Sequence, residues 1–145
     1  MIILKEVDRH NIDAVLALKV AEGQQDYVAP NVESMAQAKV MPECVPLAVY
    51  DGDELVGFLM YAMDEDDHEY WVYRLMVDEK HQRKGYGRAT MQALLAVLKK
   101  DAAHHKLYLG VEPENEGGVG LYKSLGFDFE GRVYGKEKVM LLEYQ

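Results

Sequence analysis

The chain has 145 residues, 49% hydrophobic and 28% charged, which suffices for one domain with a sizeable core. A formal net charge of −9 disfavours nucleic acid as a partner, because phosphates are repelled at long range, and suits a cationic substrate or one chosen without regard to charge. No apolar run is long enough to span a membrane, MIILKEVDRH is too quickly polar for a signal peptide, and the lone Cys44 excludes an internal disulfide and fits a reducing cytoplasm.

Met1 to Val7 predicts a first strand. Asp8 is placed to cap a helix with Ile12, Val15, Leu16 and Leu18 on its apolar face, and Gly23 after Glu22 is a natural stop. Gln24 to Pro30 predicts a loop carrying Asp26 and Tyr27. Asn31 is a candidate cap for a second, short helix to about Val40. Pro42 to Pro46 interrupts the pattern. Leu47 to Tyr50 and Leu55 to Met63 predict a hairpin turning at Asp51-Gly52. The acidic run Asp64-Glu65-Asp66-Asp67 leads into a central strand, Tyr70 to Val77, and a polar break from Asp78 to His81. A helix then runs to about Ala102, with Met91, Leu94, Leu95, Leu98 and Ala102 on its core face. Lys106 to Glu112 predicts a strand, and Asn115 the cap of a helix ending near Leu125-Gly126. Phe127 to Tyr134 and Glu137 to Tyr144 predict a closing hairpin about Gly135. The order is β-α-α-β-β-β-α-β-α-β-β, with no internal repeat or linker.

The segment joining the central strand to its helix reads Gln82-Arg83-Lys84-Gly85-Tyr86-Gly87-Arg88. A helix start leaves backbone N–H groups unpaired and carries positive potential. Glycines let a backbone approach a ligand closely, and the cationic side chains add charge. A phosphate or pyrophosphate is the natural guest. The alternative is a solvated basic loop. The dinucleotide fingerprint fails, since Thr90 stands where its third glycine belongs, and the P-loop's Gly-Lys-Ser/Thr is absent.

Gln82-x-x-Gly85-x-Gly87, after a strand and before a long helix, resembles the acyl-CoA loop of the GNAT superfamily of N-acetyltransferases. Asn115, then Leu121-Tyr122, then Gly126-Phe127 resembles that superfamily's second hallmark, in its usual place after the next strand. The resemblance implies a single domain over residues 1–145. Its fold would be α/β (α+β), with a mixed, mostly antiparallel seven-stranded sheet, helices on both faces and splayed central strands. It implies acetyl-CoA as the acyl donor. Backbone amides of Arg83, Lys84, Gly85, Tyr86, Gly87 and Arg88 would cradle the pyrophosphate, with Gln82 in the same loop. The backbone of Leu75, Met76 and Val77 would pair with the pantetheine arm, and Asn115 would contact it. Tyr122 would stand near the sulfur as general acid, a role a phenol suits because it is protonated at neutral pH.

The acceptor amine must lose a proton, since an alkylammonium with a pKa near 10.4 has no lone pair. Polyamine acetyltransferases of the superfamily often carry a carboxylate directly before the position of Arg74; here that residue is Tyr73. Glu69, Glu112 or Glu22, reached through water, are the alternatives, and each could equally be a solvated surface acid. Within the superfamily the chain resembles small bacterial spermine/spermidine acetyltransferases, through the Tyr27 loop, the acidic run, Trp71-x-x-Arg74 and the ending Lys138-Val139-Met140. Glu22, Asp26 and Glu69, with the acidic run, would supply a field for a polycation, while Tyr27, Trp71 and Tyr73 would line its alkyl stretches and meet its ammonium groups; the alternative is a solvated turn at Asp64 to Asp67 and a core Trp71. Another amine acceptor (a protein N-terminus or lysine, an amino acid, an aminoglycoside-like drug) and a non-catalytic acyl-CoA sensor remain alternatives. The histidines lack metal-ligand spacing, so no metal is expected. Val139 to Leu142 is an apolar strand that could pair across a homodimer.

Overall fold

Val56 to Met60 are buried without a break, where a sheet with one wet face would alternate. Both faces of this strand are therefore covered. The computed structural model describes residues 1–145. Its elements are β1 (Ile2–Glu6), α1 (Ile12–Ala17), α2 (Asn31–Val40), β2 (Cys44–Asp51), β3 (Glu54–Met63), β4 (Tyr70–Val77), a 3-10 turn (Glu79–His81), α3 (Tyr86–Leu98), β5 (Lys106–Val111), α4 (Glu116–Ser124), β6 (Asp128–Tyr134) and β7 (Glu137–Glu143). One seven-stranded sheet runs β1-β2-β3-β4-β5-β7-β6. Every neighbouring pair is antiparallel except β4 and β5.

The apolar face of α3, through Met91, Leu94 and Leu98, packs with Val56, Leu59, Leu107, Leu109 and Met140 into the larger core. On the opposite face Val15 of α1 joins Ala48, Phe58, Met60 and Met76, with Met35 and Ala38 of α2 packed alongside. The sandwich of helices about a mostly antiparallel sheet is the architecture the motifs implied.

Several boundaries differ from expectation, each for a tertiary reason. The first helix ends at Ala17, because Leu18 turns extended and the chain is held by the loop after β4: the Lys19 N–H donates to Asp78 Oδ1 (3.0 Å) and the Glu79 N–H to the Lys19 carbonyl (2.7 Å). Asp8 does not cap α1. Its Oδ1 accepts from the His10 and Asn11 amides (2.8 and 3.2 Å), and so shapes the turn before the helix. Asn31 is also no cap; Pro30 occupies that position, and the buried Asn31 Nδ2 donates to the Val15 carbonyl (2.9 Å), tying α2 to α1. The long helix stops at Leu98, not Ala102, where Asp101 accepts bonds from Tyr70 Oη (2.7 Å) and the Ala103 amide (3.0 Å). Strand β2 begins at Cys44 and runs through Pro46. The partner β1 reaches only to Leu47, so Pro46 lies where one side of the strand has no neighbour, the setting in which a strand tolerates proline. Finally, β7 lies between β5 and β6 with both edges paired, so it has no free edge to offer a second copy.

Candidate active site

The parallel pair β4 and β5 is joined only at Tyr70–Leu107, Trp71–Tyr108 and Val72–Leu109. Beyond Val72 the strands part, and Tyr73 to Val77 have β3 on one side and no strand on the other. Two cavities meet in the opening. One, of about 440 Å³, lies between Leu75–Val77, the loop from Gln82 to Arg88, and Asn115, Leu121 and Tyr122 of the α4 region. The other, of about 630 Å³, extends from Tyr27 past Tyr73, Gly110 and Glu112 to Glu137. Tyr27, Leu75, Asn115 and Tyr122 line both.

The donor-rich loop is built by backbone geometry. Arg83 (φ 63) and Gly85 (φ 80) both take left-handed conformations, folding the chain back so that α3 starts abruptly at Tyr86. No side chain caps that helix, so its first amides are free to meet an anion. Gln82 fixes the loop to the strand end: its Nε2 donates to the Val77 carbonyl (3.0 Å) and to Gln24 Oε1 (2.9 Å). The two glycines have different reasons. Gly85 supplies the positive φ, whereas a Cβ at Gly87 would stand 3.1 Å from Leu121 Cδ2, so that glycine lets α3 and α4 approach. The Tyr86 hydroxyl turns away and donates to Asp51 Oδ2 (2.7 Å), and Arg88 Nη1 donates to Ser124 Oγ (2.8 Å). Lys84 is exposed, and its side chain does not line the cavity. This donor set fits a pyrophosphate, and the adjacent strand edge of Leu75–Val77, which no strand covers and where only the Val77 carbonyl is taken by Gln82, fits an amide-bearing arm.

Asn115 caps α4, its Oδ1 accepting from the Gly118 amide (3.1 Å). A Cβ at Gly118 would lie 2.7 Å from Asn115 Nδ2, which accounts for one of the three glycines in this helix. Tyr122 packs edge-on against Phe127 (5.8 Å between centroids) and reaches the junction of the two cavities. Loss of water, then the charge of Glu137, pushes its phenol up to about 12.

On the acceptor side the predicted residues divide. Tyr27 and Tyr73 line the larger cavity, and Trp71 lies further along the groove. Glu22 and Glu69 line neither cavity. The aromatics of β4 are partly engaged within the protein. Tyr73 Oη donates to Asp64 Oδ2 (2.6 Å), and burial followed by that carboxylate pushes the phenol well above its usual value. Trp71 Nε1 donates to Asp67 Oδ2 (2.9 Å). Its ring stacks on Tyr108 (5.0 Å), with the Arg132 guanidinium 5.4 Å from the Trp71 centroid and 5.1 Å from that of Tyr108. Two members of the acidic run thus serve as acceptors for strand aromatics.

Sequence reasoning passed over Glu137, whose side chain lies against Gly110 and faces both the larger cavity and the outer groove. The available signal was Gly110 itself, since a glycine inside a strand marks close approach by another group.

The chain matches the model of the acetyltransferase (GNAT) family over residues 12–127. It belongs to the GNAT family of acetyltransferases. Along almost its whole length this acetyltransferase is 32% identical to the spermine/spermidine N(1)-acetyltransferase of Bacillus subtilis, over 147 residues and 97% of each chain. Its fold is similar to that of an aminoglycoside acetyltransferase in complex with coenzyme A, with a TM-score of 0.83, 16% identity and coverage of 99% and 95% of the two chains. It is also similar to spermidine N-acetyltransferase from Vibrio cholerae in complex with CoA and spermine, with a TM-score of 0.77, 20% identity and coverage of 99% and 95%. The enzyme is an acyl-CoA-dependent N-acetyltransferase with acetyl-CoA as its cosubstrate.

Proposed function

We propose that this enzyme acetylates a primary amine of a polyamine such as spermidine or spermine by direct attack within a ternary complex. The observation that carries the reading is the 32% identity, across 97% of both chains, to a spermine/spermidine N(1)-acetyltransferase. The site chemistry supports it: a groove lined by Tyr27 and Tyr73 continues past Glu112 and Glu137 toward Trp71 and the acidic turn. Aromatic walls suit alkyl segments and carboxylates suit ammonium groups.

Acetyl-CoA supplies an activated acetyl thioester. The amides of Arg83 to Arg88 hold its pyrophosphate, and the free edge of Leu75 to Val77 orients the pantetheine arm, with Asn115 beside it. A main-chain N–H near Leu75 or Met76 faces the carbonyl oxygen as charge gathers there. Tyr122 delivers a proton to the departing sulfur. Holding both substrates in one groove removes the entropic cost of a bimolecular encounter.

The test is CoA release measured on a panel of amines at equal concentration. Spermidine or spermine should give a kcat/KM at least tenfold above simple monoamines, an amino acid, an aminoglycoside or a peptide N-terminus. A higher value on any of those would reassign the acceptor. Tight CoA binding without turnover on any amine would make the protein a sensor.

A further inference from the structure

Gly110 sits inside β5, and a Cβ built there would stand 2.6 Å from Glu137 Oε1. Any other residue at that position would therefore displace the carboxylate. Glu137 itself begins β7, and its side chain falls on the same face as Val139, toward Trp71 and Tyr108. The carboxylate is thereby carried into the opening between β4 and β5, where Tyr122 also arrives. No cation lies within salt-bridge distance of it. It is an acid placed in a reaction groove by a strand glycine and left uncommitted to any structural bond.

We propose that Glu137 receives the acceptor ammonium and takes its proton, in the space that Gly110 leaves open. This rests on the acetyltransferase reading and supplies the base that Tyr73, standing where a carboxylate was expected, does not. The acceptor enters as an ammonium ion. One proton passes to the Glu137 carboxylate and on to water, freeing the nitrogen lone pair. The C–N bond then forms and the thioester C–S bond breaks. The second nitrogen proton is lost to water, while the sulfur takes one from the Tyr122 hydroxyl, which water replaces. The sum is ammonium plus acetyl-CoA giving amide, CoA thiol and one proton.

The titratable and charged groups that line the same cavities as this carboxylate are Asp26, Tyr27 and Glu33 before and on α2, Asp64, Asp66 and Asp67 of the acidic turn, Tyr73 and Arg74 from β4, Glu112 at the end of β5, Tyr122 from α4, and Arg132 and Tyr134 from β6. Glu137 is exposed at the start of β7, but the groove walls crowd its carboxyl on one side: that partial loss of water raises its pKa most, the Glu112 charge raises it further, and Arg74 opposes both. A base with a raised pKa is a better proton acceptor near neutrality. Activity should therefore climb as pH rises through that raised value.

The experiment compares Glu137→Gln, Glu112→Gln and Gly110→Ala with wild type, using whichever amine wild type turns over fastest. Glu137→Gln should lower kcat/KM about 100-fold or more at neutral pH and abolish the acidic limb of the profile. Its affinity for CoA by calorimetry should stay within twofold of wild type. Glu112→Gln should keep the limb but move it to lower pH, since a neighbouring negative charge is gone. Gly110→Ala should slow turnover by displacing the carboxylate. In the CoA-free protein, the side-chain carboxyl carbon of Glu137 should titrate above the ordinary glutamate range by NMR, and lower in Glu112→Gln. A Glu137→Gln enzyme within threefold of wild type, or a limb lost in Glu112→Gln and kept in Glu137→Gln, would overturn the assignment while leaving the acetyltransferase reading intact. A wild type that turns over no amine would remove both.

Discussion

Tyr122 shows how much a single side chain's surroundings decide. In the acid role proposed for Tyr122, the phenol must still hold its proton when the leaving group needs it. Loss of water and the charge of Glu137 together keep this phenol protonated up to about pH 12. Tyr122→Phe should lower kcat about 100-fold, and the ring's contact with Phe127 should keep CoA affinity and thermal stability near those of wild type. The sign is clear for the pH profile: the donor form is lost only as pH rises through the elevated pKa, so this group contributes no descending limb until pH nears 12. A limb well below that value, present in wild type and absent from Tyr122→Phe, would reverse the role. A rate unchanged by the substitution would do so equally.

Among elements, β3 and β4 leave no room for a side chain at Gly57. A Cβ there would stand 2.5 Å from the Met76 carbonyl oxygen, a backbone atom that cannot swing aside. Gly57→Ala should therefore cost about 1–3 kcal/mol in urea unfolding, as overpacking does, and an unchanged midpoint would mean the strands can shift. Strand and hairpin positions were legible in the chain because their signals are local: aromatic and β-branched residues in β4, and turn glycines at Gly52 and Gly135, both at positive φ. The turn between β4 and α3, proposed to hold the acyl donor, stood out in the chain for the same reason, since Gln82, Gly85 and Gly87 lie within one short segment. Helix ends were less so. The first helix stops where Asp78, sixty positions onward or nearly so, claims the Lys19 amide, and no window of sequence contains both residues. Glu137 was missed on the same grounds. Its meaning comes from Gly110, a β5 residue that becomes its neighbour only when β7 inserts between β5 and β6.

At the scale of the whole molecule, charge and connectivity matter most. A net charge of −9 attracts polycations from a distance, and salt weakens that pull, with a screening length of about 8 Å at physiological ionic strength. The kcat/KM for spermine should consequently fall more steeply with added salt than that for a monoamine. Parallel slopes would show that the overall field does not steer the acceptor. The sheet itself comprises two blocks, β1 to β4 and β5 to β7, stitched together along one seam of three residue pairs. Every other seam is longer. A molecule that fills the gap in that seam also clasps the two blocks, so its binding energy adds directly to the cohesion of the folded chain. Scarcity of acyl donor would then be felt twice, once as slower turnover and once as a protein that comes apart more easily along its own midline.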